Sequence, residues 1–213
     1  MHLLAKGAEA ELYLVDWFGI KAVLKWRKPK AYRDPTLDYQ IRRRRTVNEV
    51  RNMYTAHTLG VPVPSVFFFD PEKAVIYMEY VEGESLRELI NRGHHLLKDV
   101  GRYVGLMPKG GLIPGDLAPT NVITSGGTLY FIDFGLGDVR KTWNRRTAIL
   151  MARDVNVLLR NLELYGDKAE ELKRQFWEGY AEVMGAKTDV VQREVAKIRA
   201  SGRYVERRGP QFR

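Results

Sequence analysis

The chain has 213 residues, of which 45% are hydrophobic and 29% charged, with a net charge of +9, as expected for a folded protein of one large domain or two small ones. It contains no cysteine, which excludes disulfides and thiolate metal sites. No apolar run approaches the roughly 18 residues of a membrane span and no secretory signal is evident, so we expect a cytoplasmic protein without membrane contact.

The first half of the chain alternates polar and apolar residues over short stretches, which is typical of antiparallel strands. Gly19 marks a turn between the first two strands, and Gly60 with the prolines after it ends a helix. The predicted elements are, in chain order, strand 10–15, strand 20–26, helix 47–59, strand 66–69 and strand 74–80.

The second half is predominantly helical. Its predicted elements are helix 85–106, a hairpin of strands 122–124 and 128–132, a helix from 167 to Gly185, and a last helix that ends at Gly202. The change in pattern near residue 82 divides the chain into an amino-terminal lobe (1–82), a carboxyl-terminal lobe (83–202) and a tail (203–213). The predicted fold class is α+β, with an antiparallel sheet and one helix in the first lobe.

The positive charge is concentrated in two places. Residues 21–45 hold ten basic and two acidic side chains, and residues 188–213 hold seven basic and three acidic ones. Each cluster is either a solvated face or a contact for a polyanion, for which nucleic acid is the leading candidate. The tail contributes Arg203, Arg207, Arg208 and Arg213.

The most specific motif is Gly115-Asp116-Leu-Ala-Pro-Thr-Asn121, followed after the hairpin by Asp133-Phe-Gly. An aspartate, an asparagine five positions later and then Asp-Phe-Gly after a strand is the spacing of the kinase catalytic loop and metal-binding motif. Asp116 would orient the acceptor hydroxyl and take its proton, while Asn121 and Asp133 would hold magnesium on ATP through oxygen ligands. The alternative is two unrelated turns, since these residues are common turn formers.

Two further residues fit the phosphate side of a kinase site. Lys25 lies on a predicted strand, as does the lysine that contacts the α- and β-phosphates in kinases, although it could also be an exposed strand lysine. Glu49 on the next helix could pair with Lys25 and hold it in place. Thr46 and Glu49 also match a capping box, which would give Glu49 a purely local role.

The remaining candidates surround the nucleotide. The hinge between the lobes would contact adenine through Met78, Glu79, Tyr80 and Val81. The phosphate-covering loop would be Gly7, Ala8, Glu9 and Ala10, which has a single glycine but small residues that still let the backbone approach a phosphate. Glu9 and Glu11 add negative charge beside the expected triphosphate, which is unfavourable unless they face elsewhere.

Several longer segments carry a more specific resemblance. These segments are Gly7-Ala-Glu-Ala10, residues 25–38 with Arg33-Asp-Pro-Thr-Leu-Asp38, residues 41–49, Gly60-Val-Pro-Val-Pro64, Asp133-Phe-Gly-Leu-Gly137 and Val205-Glu-Arg-Arg-Gly209. Through them the chain resembles, over nearly its whole length, the atypical serine/threonine kinase family of the archaeal and eukaryotic KEOPS complex.

This resemblance implies a minimal two-lobed protein-kinase-like fold, with ATP and Mg²⁺ as cofactors. It implies partners as well: a threonylcarbamoyltransferase subunit, the other KEOPS subunits and, through the complex, tRNA, which the tail arginines would contact. The chain departs from the family at Pro114, where a histidine is usual. Asp154 matches the helix aspartate that holds the catalytic loop in this family, and it could compensate for that change.

The sequence therefore predicts an ATP- and magnesium-dependent kinase or ATPase that acts within KEOPS to support threonylcarbamoyl modification of tRNA adenosine. Three alternatives stay open: a regulatory ATPase or scaffold without a protein substrate, a small-molecule phosphotransferase, and a noncatalytic tRNA-binding module. The first alternative needs the same nucleotide site. The second is disfavoured because the chain has no large helical insertion for a small substrate.

Overall fold

The structure, a computed structural model, describes residues 1–94, 96–140 and 143–207, the last six of them (202–207) by their backbone only. The amino-terminal lobe is a five-stranded antiparallel sheet in the order β1-β2-β3-β5-β4. Its strands are β1 His2–Lys6, β2 Glu11–Trp17, β3 Ile20–Trp26, β4 Val66–Asp70 and β5 Val75–Glu79. The sequence pattern does not predict β1, because all five of its residues are exposed and one face is therefore not distinguished from the other.

One long helix, α1 (Pro35–Thr58), packs on this sheet. It begins well before the predicted start at residue 47, because Asp34 accepts a hydrogen bond from the backbone N–H of Leu37 at 2.9 Å and Pro35 occupies the first turn. The first half of α1 is polar, so it has no apolar periodicity from which a helix could be predicted. Thr46 lies inside this helix and donates to the Arg42 carbonyl at 2.9 Å, which excludes the capping-box alternative for Glu49.

The carboxyl-terminal lobe contains five helices in its described part. They are α2 Leu86–Asn91, α3 Leu97–Lys109, α4 Arg145–Leu162, α5 Ala169–Met184 and α6 Lys187–Arg207. The predicted helix 85–106 is thus two helices, separated at Gly93, which has φ +87° and so cannot continue an α-helix. The prediction that the last helix ends at Gly202 is wrong, because α6 continues to Arg207.

Short strands complete this lobe. The pair β7 (Leu112–Ile113) and β10 (Asp138–Val139) and the sheet of β6 (Glu84–Ser85), β8 (Val122–Ser125) and β9 (Thr128–Phe131) hold the loops that carry Asp116 and Asp133. The β8–β9 hairpin matches the sequence prediction. In the described part of the chain, no helix has the length and apolarity needed to cross a membrane.

The core of the carboxyl-terminal lobe is built around the contact of α3 with α5. The predicted apolar stripe of α5 is buried, with Leu172, Phe176 and Tyr180 each at most 2% exposed. The two helices approach so closely that a Cβ on Gly179 would lie 1.8 Å from the carbonyl oxygen of Lys98. No side chain fits at that distance, so this position requires glycine.

Gly179→Ala is therefore expected to destabilise the protein by about 3 kcal/mol, the upper part of the usual range for overpacking, because two helix backbones must separate. Urea unfolding of the variant measures this loss. Glu170→Ala on the same helix is the matched control, since Glu170 is 86% exposed and its change should stay within about 0.5 kcal/mol. If the two variants had equal free energies of unfolding, α3 and α5 could move apart without cost and the prediction would be wrong.

Candidate active site

A cavity of about 400 Å³ lies between the sheet of the first lobe and the loops of the second. Since ligand sites are usually concave and occur where two structural units meet, this cavity is the candidate active site. The predicted site residues that line it are Gly7, Ala8, Glu9, Ala10, Lys25, Met78, Asp116, Asn121 and Asp133. Residues from both lobes, far apart in sequence, thus converge on one volume.

Lys25 lies at the centre of the site's electrostatics. Its Nζ is 2.7 Å from Oε1 of Glu49 and 2.9 Å from Oδ1 of Asp133. Lys25 is 6% exposed and Glu49 is fully buried, so this is not the exposed strand lysine of the alternative hypothesis. The lysine therefore links the helix of the first lobe to the Asp-Phe-Gly loop of the second.

Asp133 occupies an unusual backbone conformation, with φ +63°, in the left-handed region that few non-glycine residues adopt. Burial alone would raise the pKa of its carboxyl group, but the adjacent Lys25 ammonium, the Gly135 N–H and the charge of Arg27 together outweigh burial and lower that pKa below the ordinary value. Asp133 is therefore charged at neutral pH. Its side chain is 48% exposed, which leaves it accessible from the cavity.

Asp116 and Asn121 are held together by the turn between them. Asn121 Nδ2 donates to Asp116 Oδ2 at 3.1 Å and to the Asp116 carbonyl at 3.3 Å. A short 3₁₀ helix, Pro119–Asn121, closes the loop, so the Ala-Pro-Thr sequence is compatible with a tight turn. The Asn121 carbonyl accepts from the Ile132 N–H at 2.9 Å, which joins this loop to the strand that leads to Asp133.

Asp154 on α4 holds the loop that carries Asp116. Its Oδ2 accepts a hydrogen bond from the backbone N–H of Gly115 at 2.7 Å, at the position next to the unusual Pro114. The role that the resemblance implied for Asp154 thus has a direct contact in the structure. Burial, with a smaller contribution from the nearby Asp116 charge, raises the pKa of Asp154 to about 6.

This raised pKa predicts a pH-dependent contribution to stability. The folded protein holds the Asp154 proton more tightly than the unfolded chain, whose pKa is near 3.8, so the stabilising contribution is complete below about pH 4 and is lost as the pH rises through about 6. Relative to Asp154→Asn, the wild type should lose about 3 kcal/mol over this window, at about 1.4 kcal/mol per pKa unit. Urea unfolding of both proteins at several pH values tests this, since other carboxylates cancel in the difference. A pH-independent difference would contradict the prediction.

Other predicted residues lie outside the cavity lining. Glu79 turns its carboxylate to the Ser65 N–H at 3.0 Å, away from the cavity, and Tyr80 and Val81 follow it beyond the end of β5. Any contact of these three with a nucleotide would come from the backbone. The tail residues Arg203 and Arg207 lie on α6 with side chains that are not described, and Arg208 and Arg213 are outside the described residues.

Comparison with known proteins agrees with this geometry. The RIO domain model matches residues 25–174. The KEOPS complex subunit Bud32 of Pyrococcus abyssi is 34% identical over 222 residues, which cover 97% of this chain and 98% of that protein. The chain belongs to the Bud32 group of the RIO domain family. It is therefore an atypical kinase by family, which confirms the family and enzyme class predicted from the sequence.

Two further matches differ in chain length and in sequence identity. A probable bifunctional tRNA threonylcarbamoyladenosine biosynthesis protein of Methanothermobacter thermautotrophicus is 35% identical over 96% of this chain, which spans only 37% of that protein. Among solved structures, the Rio2 kinase–ADP/Mg²⁺–phosphoaspartate complex of Chaetomium thermophilum superposes with a TM-score of 0.63 at 18% identity, covering 96% of this chain and 72% of that one. This structural likeness confirms the predicted kinase-like fold.

Sequence reasoning missed several residues that line the cavity of this RIO domain, namely Leu12, Arg27, Arg45, Thr120, Ile132, Gly135 and Leu136. Arg27 could have been found, because residues two apart on a strand share a face and Lys25 was already placed there. Arg45 ion-pairs with Glu9, and Lys28 Nζ lies 2.6 Å from Glu11. The two acidic residues near the loop are thus neutralised within the protein.

The described residues contain no group of three or more histidine, aspartate or glutamate side chains that could enclose a metal ion. Magnesium does not need such a group, because one or two carboxylates and the substrate's phosphates usually hold it. Asp133 contacts the Lys25 ammonium and accepts from the Gly135 N–H through Oδ1, and its side chain is 48% exposed. The carboxylate and the Asn121 amide oxygen therefore fit a magnesium site completed by phosphates.

Proposed function

We propose that this RIO-type chain is an ATP- and magnesium-dependent serine/threonine kinase or ATPase that acts in the cytoplasm as a subunit of a KEOPS complex. One observation carries the proposal: Lys25 Nζ bridges Glu49 and Asp133 at 2.7 and 2.9 Å beside a cavity that Asp116 and Asn121 also line. This is the arrangement that phosphoryl transfer needs, because the reaction depends mainly on positioning and on charge stabilisation.

In this proposal Lys25 binds the α- and β-phosphates, and Glu49 keeps its ammonium in place. Asp133 and Asn121 would hold magnesium, which when bound would supply positive charge to neutralise the triphosphate. Asp116 orients the acceptor hydroxyl and takes its proton as that oxygen attacks the γ-phosphorus, while the bond from this phosphorus to the β,γ-bridging oxygen breaks and ADP leaves. Because Asp116 accepts from Asn121, the base and the metal ligand move as one unit.

The nucleotide would be enclosed by the first lobe. The backbone of the loop Gly7, Ala8, Glu9 and Ala10 covers the phosphates, and Met78 contacts the adenine from the back of the cavity, with hinge contacts from the backbone of Glu79, Tyr80 and Val81. The ion pair between Arg45 and Glu9 supports this assignment, since it fixes the loop to α1 with little free negative charge near the phosphates.

The partners follow from the relatives. Those named as KEOPS complex subunits support membership of that complex for this chain, and the bifunctional relatives join a region like this one to further sequence in a single tRNA-modifying protein. Such a fusion is consistent with direct contact between this chain and a threonylcarbamoyltransferase subunit. The arginines Arg203, Arg207, Arg208 and Arg213 would then contact tRNA or the partner through their charge.

A regulatory ATPase is the second candidate, and one feature favours it. After Gly135 the chain forms β10 and enters α4 at Arg145, so little polypeptide is available to seat a protein acceptor. Water would then take the place of the hydroxyl, with Asp116 in the same role. Both candidates use the same nucleotide site.

The two candidates are separated by incubating the chain with γ-labelled ATP and Mg²⁺, alone and with the transferase partner. Label on serine or threonine of a protein supports the kinase, and label released as inorganic phosphate supports the ATPase. Asp116→Asn is the control that must lose both products by about 10²-fold or more, because it lacks the base. If Asp116→Asn keeps full turnover, this site assignment is wrong.

A further inference from the structure

Arg27 is a buried arginine at the wall of the candidate active site. It is 2% exposed, and it lines the cavity together with Lys25. Its backbone N–H donates to the Ala74 carbonyl at 3.0 Å, which extends the pairing of β3 with β5 and fixes the residue's position. The guanidinium is therefore held on rigid sheet backbone two residues after the lysine.

The carboxylate of Glu49 is divided between these two cations. Its Oε1 contacts Lys25 and its Oε2 contacts Nη2 of Arg27. The other nitrogens of the guanidinium, Nε and Nη1, are buried and have no hydrogen-bond partner among the described residues. Buried charged donors without acceptors are costly, because neither water nor protein replaces the lost solvation.

The surroundings keep space for this guanidinium. A Cβ on Gly135 would lie 2.7 Å from Arg27 Nη2, 3.3 Å from Asp133 Oδ1 and 3.4 Å from Glu49 Oε2. The glycine of the Asp-Phe-Gly motif thus makes room for Arg27 beside both carboxylates. A planar guanidinium at the wall of a cavity is the group that best matches phosphate oxygens.

We propose that Arg27 is a second phosphate-binding residue of the nucleotide cavity, which offers an N–H of its guanidinium to a phosphate oxygen while Nη2 stays on Glu49. The inference rests on the proposed function, since it names a further contact of the same ligand. It also gives the buried Glu49 a second cation, which helps to neutralise its carboxylate while Lys25 is shared between Glu49 and the phosphates.

The test measures binding of tripolyphosphate, ATP and adenosine, each with Mg²⁺, to the full-length wild type, Arg27→Met and Arg27→Lys. Arg27→Met is expected to weaken tripolyphosphate and ATP by about 10- to 100-fold, the usual value of a charge-assisted hydrogen bond, with adenosine changed less than about 2-fold. Arg27→Lys should recover part of the loss, because it keeps the charge but not the fork. Equal weakening of all three ligands would overturn the proposal, since a general distortion acts on adenosine too.

If Arg27→Met folds poorly because Glu49 loses a partner, a second comparison still tests the proposal. Glu49→Gln and the double variant Arg27→Met/Glu49→Gln both lack the buried carboxylate charge. If Arg27 only neutralised Glu49, these two would bind tripolyphosphate equally, and that result overturns the inference. Weaker binding by the double variant supports it.

Lys25→Met separates this inference from the proposed function. If Lys25→Met loses tripolyphosphate binding and the arginine variants do not, the nucleotide site stands and the role of Arg27 is wrong. If neither position affects tripolyphosphate, the nucleotide site itself is wrong.

Discussion

Replacing Asp133 by asparagine is expected to lower magnesium-dependent ATP turnover by about 10²- to 10³-fold. Asparagine has almost the same shape and tolerates the left-handed backbone at φ +63°, so the loop should keep its conformation. The loss is electrostatic: the variant lacks the carboxylate that would ligate magnesium and that lies 2.9 Å from Lys25 Nζ. Steady-state turnover at saturating ATP and Mg²⁺ measures the effect.

Asp138→Asn is the matched control for this change. Asp138 lies on β10 after the same loop, and its 43% exposed carboxylate lies 2.5 Å from Arg140 Nη2, outside the cavity lining. Its loss should alter turnover less than about 2-fold, because an exposed ion pair contributes little. Near-normal turnover in Asp133→Asn would refute the assignment of Asp133 as a metal ligand.

The largest loss of stability is expected from Glu49→Ala. Glu49 is fully buried and contacts both Lys25 and Arg27, so its removal leaves two buried cations without their shared carboxylate. Breaking a buried ion pair in this way costs about 3–5 kcal/mol. Urea unfolding at neutral pH measures the change in the free energy of unfolding.

Glu82→Ala serves as the comparison, because its carboxylate also pairs with a lysine, at 3.4 Å from Lys21 Nζ, but both side chains are at least 66% exposed. We expect that change to cost less than about 1 kcal/mol. A similar small loss in Glu49→Ala would mean that water reaches Lys25 and Arg27 when the carboxylate is absent, which their burial argues against.

Helix α1 connects the two halves of the site. Besides carrying Glu49, it places Asn52 so that its Nδ2 donates to the Phe134 carbonyl at 3.0 Å, inside the Asp-Phe-Gly motif. Both α1 residues are fully buried. A movement of α1 would therefore displace the Lys25 contact and the Asp-Phe-Gly loop together, and we expect the two to be gained or lost as a unit.

The local parts of the site could be predicted from sequence alone. Asp116, Asn121 and Asp133 stand in a spacing that few other functions require, and Lys25 ends a strand whose alternation is visible in the residues. The hairpin between the motifs and the apolar stripe of α5 follow from turn chemistry and helical periodicity. These features depend on neighbours in the chain, which is why reading along the chain finds them.

Only the tertiary structure decided the rest. The start of α1 at Pro35 was missed because the first half of this helix has no apolar stripe. For Glu49, the sequence allowed either a helix-capping role or an ion pair. The 2.7 Å contact of Glu49 with Lys25 on β3 settles that choice. The tie between Asp154 and Gly115 and the pairing of Arg45 with Glu9 join residues more than 30 positions apart. Such contacts depend on how the elements pack, and the energy that selects them comes from burial, which no local pattern encodes.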